Sequence, residues 1–375
     1  MRNSETYDIA IIGGGLAGLG LAILQAKAGK SVILFEKNTY PFHRVCGEYI
    51  SLESWDFLES LGLPLGQMHL PIIKNLQVTS PSGTSLEAKL DLGGFGISRY
   101  KLDFELAKIA KKLGVIFQEN TRVKDIIKTE NKFQVLTENE VFRSNMAVGS
   151  FGKRSNLDVE WKRPFISKNR TSLNQYVGVK YHIKTHFPKD KIALHNFSDG
   201  YCGISAIEDD LYCLCYMTTK ANLKKSNNSI DLMEEKILSK NPFLREIFYN
   251  SEKVWPQPEV ISQISFEKKG QFEREIPLLG DASGMIAPLC GNGMSMAFHG
   301  AHLLNDLLES GENLKENYPK RWHDEFSTRL QVGRTVQSLF GNPIMTDLLI
   351  RSMKITPSVL QMIIKNTHGK KIGKI

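Results

Sequence analysis

The feature that most constrains this chain is the run from Tyr7 to Glu36. Tyr7-Asp8-Ile9-Ala10-Ile11-Ile12 is a short β-branched stretch suited to a buried parallel strand, and it passes directly into Gly13-Gly14-Gly15-Leu16-Ala17-Gly18. Leu16, Leu19, Ala22, Ile23 and Ala26 then recur at helical spacing, the helix stops before Gly29, and Ser31-Val32-Ile33-Leu34-Phe35 reads as a second strand closing on Glu36. Strand, glycine turn, helix, strand and acid in that order predict a βαβ unit whose helix N-terminus meets a pyrophosphate. Gly13 is expected to make the tight turn, Gly15 to let the backbone N–H groups from Gly14 to Ala17 approach the phosphates, and Gly18 to bring helix and strand together. Glu36 follows Gly18 by eighteen residues, where a carboxylate can accept from a ribose, with Lys37 beside it. That acid favours FAD or NAD over NADP. A glycine turn that merely joins a strand to a helix is the competing explanation, and the flanking elements in register speak against it.

At 375 residues the chain has room for about two domains of ~150 residues, and 41% hydrophobic with 23% charged residues is a globular balance. The net charge is +8, with basic residues spread through the chain and no nucleic-acid motif among them, so no nucleic-acid partner is expected. The polar N-terminus runs straight into a strand and no apolar run of ~18 residues occurs, so the expectation is a cytoplasmic protein without leader or spanning helix. Five cysteines, Cys46, Cys202, Cys213, Cys215 and Cys290, are scattered without paired spacing; reduced thiols are expected, with neither a disulfide framework nor a metal site.

Towards the other end, Ile276-Pro277-Leu278-Leu279-Gly280-Asp281-Ala282 reads as a strand ending in Gly-Asp-Ala. Pro288 and Gly291-Asn292-Gly293-Met294 follow, and a helix then runs to Leu308. A glycine-flanked helix N-terminus offers free N–H groups and partial positive charge to an electron-rich ligand edge. With the first motif, this segment resembles the p-hydroxybenzoate-hydroxylase-like FAD superfamily, which includes flavin monooxygenases, flavin halogenases and geranylgeranyl reductases. The resemblance implies an FAD-dependent oxidoreductase of α/β class: a Rossmann-like FAD-binding domain with an inserted antiparallel β-sheet substrate domain and C-terminal helices. It further implies that Asp281, after Gly280, binds the ribityl chain, and that Pro288, Gly291, Asn292, Gly293 and Met294 face the flavin ring.

Ile97 to Leu106 resembles the family's Arg-x-x-x-Asp-x-x-Leu segment, whose arginine, here Arg99, lies near the cofactor. Val115 to Val123 resembles the strand that meets the adenine, which nominates Val123. Arg44-Val45-Cys46-Gly47 resembles the Lys/Arg-x-Cys-Gly segment that the geranylgeranyl-reductase-like branch sets beside the flavin, which nominates Arg44. One departure matters: where the family has Asp-Gly-x-x-Ser, this chain reads Phe151-Gly152-Lys153-Arg154-Ser155. In the monooxygenases that Asp-Gly element serves FAD and NAD(P)H alike. NADH or NADPH as electron donor therefore competes here with a separate flavin reductase or other redox partner.

The expected organisation places the FAD-binding domain in residues 1–70, 97–171 and 260–317, the substrate domain in a hairpin (71–96) and an insertion (172–259), and helices in 318–375. Within the insertion, Tyr176–Ile183, Lys191–Phe197, Tyr201–Ile207 and Tyr212–Thr218 read as strands; Leu232–Leu238 reads as a helix and Pro242 opens another. Leu348 to Ile364 forms an apolar-basic series ahead of Lys365, Lys370, Lys371 and Lys374. It is expected to cover the substrate cavity, the alternative being peripheral contact with a membrane surface.

Cys46 and Glu48 are the catalytic candidates. The Cys46 thiol would gain thiolate character if Arg44 and His43 faced it, and otherwise is a small hydrophobe lining the flavin; Glu48 either faces substrate or is a solvated carboxylate. Tyr49, Phe95, Tyr201 and Phe298 are candidates for lining a small apolar or aromatic substrate. His182, His186 and His195 lack ligand spacing and are expected in ordinary roles, Cys213 and Cys215 share one strand face, and Glu208-Asp209-Asp210 is expected to be a solvated turn. The expected reaction is monooxygenation of an apolar, aromatic or polyketide-like molecule. Alternatives are reduction of a prenyl double bond and service as a flavin electron carrier or quinone-linked reductase.

Overall fold

The computed structural model describes residues 5–167, 176–264, 266–286, 291–339 and 343–373. A six-stranded sheet comprises β1 (Thr6–Ile12), β2 (Val32–Phe35), β6 (Ile116–Gln118), β7 (Asp125–Thr129), β8 (Lys132–Leu136) and β9 (Val141–Gly149), in the order β6-β2-β1-β9-β8-β7. β6, β2, β1 and β9 run parallel, whereas β7 and β8 are antiparallel additions. Ile12 pairs with Phe35 on one side and Gly149 on the other, so the glycine turn leaves the carboxyl ends of three adjacent strands. In open α/β sheets that edge is where ligands bind.

Helices α1 (Leu16–Lys27), α2 (Trp55–Leu61), α3 (Arg99–Lys112), α4 (Asn156–Glu160) and α5 (Pro164–Ser167) accompany this sheet. α1 is buried from Leu16 to Gln25 because α3 and α9 (Gly293–Ser310) pack on it. A Cβ at Gly20 would sit 3.4 Å from the Ala301 Cβ, so small residues let α1 and α9 approach closely.

The second sheet has nine strands: β3 (Tyr49–Ser51), β4 (Ile72–Thr79), β5 (Ser85–Gly96), β10 (Tyr176–Lys184), β11 (Lys191–Phe197), β12 (Gly200–Ala206), β13 (Tyr212–Thr219), β14 (Glu252–Lys253) and β15 (Glu259–Ile264). The β4–β5 hairpin joins the later strands through a parallel β4–β11 pairing, while β10, β11, β12 and β13 pair antiparallel. The chain is thus α/β, with an antiparallel sheet inserted in a Rossmann-like unit. Alternation along β10 sets the two faces: Val177, Val179, Tyr181 and Ile183 pack with Met233, Leu238, Leu244 and Ile247 from α7 (Ile230–Lys236), the turn after it and α8 (Pro242–Asn250), which follow α6 (Lys220–Lys225). Gly178, Lys180 and His182 therefore project to the opposite face.

Two expectations at the strand and helix level change. The expected strand Ile276–Ala282 shrinks to β17 (Ile276–Pro277), paired with β16 (Phe272–Glu273), because Gly280 at φ +58° turns the chain into a 3-10 turn, Gly280–Ala282. After α10 (Leu314–Leu339), the apolar-basic series divides into α11 (Pro343–Ile355) and α12 (Pro357–Thr367). Pro357, tolerated only in the first turn of a helix, starts the second.

Candidate active site

The glycine turn follows from sterics. Gly13 has φ +110°, and a Cβ there would lie 2.2 Å from the Ser150 carbonyl oxygen; a Cβ on Gly18 would lie 2.1 Å from the Gly13 oxygen. Nothing lies within 4 Å of an ideal Cβ on Gly15, so that side of the turn opens into a cavity of about 900 Å³. Glu36, at the end of β2, is buried and accepts from Gly14 N and Arg44 Nη2, both at 3.0 Å, and from Asn38 N at 3.1 Å. Arg44 Nε also donates to Asp103 at 3.0 Å, and Arg99 grips the same carboxylate bidentately at 2.7 and 2.8 Å. Two guanidinium groups are thereby fixed beside the turn around one buried aspartate. Glu208 helps to place Arg99: it is buried, not solvated as expected, and accepts from Ser98 N at 2.7 Å while Ser98 caps α3. Asp209 and Asp210 are exposed.

The cavity wall includes Gly13, Gly15, Leu16 and Ala17 from the turn, Glu36, Lys37, Arg44 and Arg99 beside it, and Val123. It continues past Gly280 and Asp281 to Gly291, Gly293 and Met294 at the start of α9. Gly14 and Gly18 stand behind the turn, filled against Tyr40 and Gly13. Asn292 is buried rather than exposed to the cavity, because its Nδ2 donates to the Thr367 carbonyl at 2.8 Å and ties α12 to the start of α9. Pro288 lies outside the described residues.

Phe151 lines the cavity and meets Trp161 edge-on, with ring centroids 5.8 Å apart. Two buried cations that no motif flagged tie together the segments around it. Lys269 Nζ donates to the Lys153 and Asp281 carbonyls, both at 2.8 Å, and its burial pulls its pKa down to about 8. Arg163 joins Asp158 at 2.7 Å, the Ala282 carbonyl at 3.0 Å and the Gly270 carbonyl at 3.0 Å.

Glu48 is on the cavity wall, as one sequence expectation has it, but it is not a solvated carboxylate. It has φ +56°, is fully buried, and accepts from Lys180 Nζ at 2.7 Å, His182 Nε2 at 2.5 Å and Arg99 N at 2.9 Å. Burial alone would raise its pKa, but Lys180 and His182 outweigh that and hold it at about 2. A carboxylate so committed is a fixed anion that anchors the Cys46-Gly47-Glu48 turn. His182, assigned an ordinary role from sequence, belongs to this cluster. Glu48, His182 and the Cys213 thiol are close enough to share a cation, yet the Lys180 ammonium already supplies the positive charge.

Residues 6–336 match the FAD binding domain family. The chain belongs to that family. It is 25% identical over 393 residues to conditioned medium factor receptor 1 of Dictyostelium discoideum, covering 92% of this chain and 73% of that protein. It is 22% identical over 377 residues to digeranylgeranylglycerophospholipid reductase 1 of Methanococcoides burtonii, covering 90% and 84%. A flavin-dependent brominase shares the fold, with a TM-score of 0.76 at 19% identity over 97% of this chain and 93% of that one. FAD-dependent monooxygenases also occur among the relatives. The chain is thus a member of the FAD-dependent oxidoreductases.

The donor set suits FAD, in that an open glycine turn and two arginines would meet the pyrophosphate, Glu36 a ribose, Asp281 the ribityl chain and the α9 N-terminus the flavin edge. Beyond these residues, the same cavity continues between the second sheet and the C-terminal helices, lined by Leu76, Val78, Leu90, Ile192, Leu194 and Met217 on one side and Met353, Leu360 and Ile364 on the other. Tyr49 and Tyr201 line it, and the buried Tyr49 hydroxyl has no hydrogen-bond partner among the described residues. Phe95 and Phe298, expected on the wall, are instead 0% exposed in the main core, Phe95 against Trp55 and Phe298 against Phe57 on the helix-packing side of α9. Cys46 and Cys215 reach the cavity; burial pushes the Cys215 thiol up to about 12. The two cations expected to activate Cys46 point elsewhere: Arg44 is paired with Glu36 and Asp103, and His43 packs between Tyr100 and Trp255.

Proposed function

We propose that this FAD-dependent oxidoreductase is a monooxygenase that inserts one atom of O2 into an apolar molecule with an aromatic, polyketide-like head and an aliphatic body. The carrying observation is the chamber of aliphatic and methionine side chains that continues from the flavin-facing residues to α11 and α12. FAD supplies the electron and oxygen chemistry when bound. The chain's own residues orient a lipophilic substrate by apolar contact and exclude water from the reacting edge. Tyr49, whose ring edge packs beside Gly291 and whose hydroxyl has no partner among the described residues, supplies one hydrogen bond to a polar substituent on the head. Reduced holoprotein supplied with O2 and a long-chain alkylphenol should yield a product heavier by one oxygen atom, labelled when isotopically labelled O2 is used. Undiminished product formation without O2 would refute the reading.

A second reading is supported by Cys46 and Cys215 on the cavity wall, the latter held as a protonated thiol. Saturation of a prenyl double bond needs hydride from reduced flavin and a proton from such a donor. Anaerobic turnover that adds two hydrogens per saturated bond, lost in Cys46→Ala or Cys215→Ala, would favour it over monooxygenation.

A further inference from the structure

Helices α11 and α12 have two apolar faces. Met353, Leu360, Ile363 and Ile364 line the cavity, whereas Leu348, Ile355, Val359 and Met362 are 58%, 83%, 38% and 58% exposed. Leu348 and Ile355 are seven residues apart in α11, and Val359 and Met362 three apart in α12, so each pair lies along one side of its helix. Scattered exposed apolar residues are ordinary, but a row of large ones on consecutive helices marks a surface with an occupant.

Charge indicates which occupant. From residue 343 onward the cations are Arg351, Lys354, Lys365, Lys370, Lys371 and Lys374 and the only acid is Asp347, so this stretch contributes +5 of the chain's +8. Asp347 is engaged by the Ser80 and Ser82 hydroxyls, both at 2.6 Å, and by Arg351 at 3.0 Å. Apolar side chains interleaved with cations on helices of 13 and 11 residues are the composition of an interfacial pair. Among the described residues no helix is long and apolar enough to cross a membrane.

We propose that the outer face of α11 and α12 docks on an anionic lipid bilayer, so that a lipophilic substrate passes from the membrane into the chamber those helices roof. The proposal rests on the reading of that chamber as a site for an apolar substrate. A bilayer fits both faces at once: it buries the outer row, neutralises the cations, and holds the kind of molecule the inner row would accept.

The test is sedimentation of the FAD-loaded full chain with vesicles of phosphatidylcholine alone or mixed with phosphatidylglycerol. Binding should be at least tenfold tighter with phosphatidylglycerol, since each surface cation contributes about fivefold, and should weaken with salt. The triple variant Leu348→Gln, Ile355→Gln, Met362→Gln should lose at least tenfold in binding while keeping its flavin spectrum and melting temperature. Equal or absent binding to both vesicles would overturn the proposal. So would a triple variant that dissociates a wild-type dimer during size-exclusion chromatography, because a second copy would then cover the face. Turnover of alkylphenol dispersed in detergent separates the two ideas. Turnover without vesicle binding removes the dock alone, and vesicle binding without turnover removes the substrate reading alone.

Discussion

Lys180→Met is predicted to cost about 3 kcal/mol of folding stability, because it strands the Glu48 carboxylate in a fully buried site. Both side chains are 0% exposed and 2.7 Å apart, and removing one partner of such a pair costs roughly 3–5 kcal/mol. The pKa points the same way: Lys180 and His182 together outweigh the burial that would raise the Glu48 pKa and hold it well below 4.5. Glu48→Gln should cost about as much by leaving the Lys180 ammonium unmatched. The double variant should lose far less than the sum, a coupling of about 2–3 kcal/mol. Urea unfolding followed by tryptophan fluorescence, with FAD in excess, measures all four proteins; additivity within ~0.5 kcal/mol would refute the reasoning. The sign with pH is fixed as well. Glu48 titrates lower in the folded chain than in the unfolded one, so its contribution is complete above pH 4.5 and disappears as pH falls towards 2. The stability gap between wild type and Glu48→Gln should close over that window, and a constant gap would count against the anchor.

Gly15→Leu should fold normally, since the position is open, but lower FAD affinity about a hundredfold by filling the pyrophosphate space, a loss of ~2.7 kcal/mol measured by flavin titration. Gly18→Leu should lower the melting temperature as well, because its Cβ meets the Gly13 oxygen at 2.1 Å; equal behaviour of the two variants would contradict the turn geometry. Arg44→Gln should weaken FAD binding by about tenfold or more, the value of a lost charge-assisted bond, and unchanged affinity would show that the guanidinium serves only Glu36 and Asp103. With Phe151 in place of the family's aspartate, anaerobic NADH or NADPH should bleach the flavin far more slowly than dithionite does, and rapid bleaching by either would show that Phe151 is no obstacle.

What was legible in the sequence was local. The glycine turn, α1, Glu36 and the start of α9 each lie within a stretch whose spacing has a direct steric or electrostatic meaning, whereas the Arg99 segment is marked only by its resemblance to the FAD superfamily. Alternation in β13 likewise places Cys213 and Cys215 on one face, away from Tyr212, Leu214 and Tyr216, which belong to the helix-facing core or its edge. The buried ion cluster was not legible, because Glu48 meets Lys180 and His182 across 132 and 134 residues, and one sequence carries no record of such pairing. Lys269 and Arg163 escaped for the same reason: their partners are mostly backbone carbonyls of other loops, which no residue type announces. Phe95 and Phe298 were misplaced because aromatic character is shared by cores and cavity walls. Only the packing of β5 against Trp55 and of α9 against Phe57 decides between them.

The central claim is that residues from Gly13 to Met294 bind FAD, and its most direct test is the visible spectrum of the purified or FAD-reconstituted chain, with mass analysis of the cofactor released on denaturation. The account predicts a bound-flavin spectrum, stoichiometric FAD and loss of both in Gly15→Leu. A folded chain that stays colourless after reconstitution, or binds flavin equally well with Gly15→Leu, would contradict it.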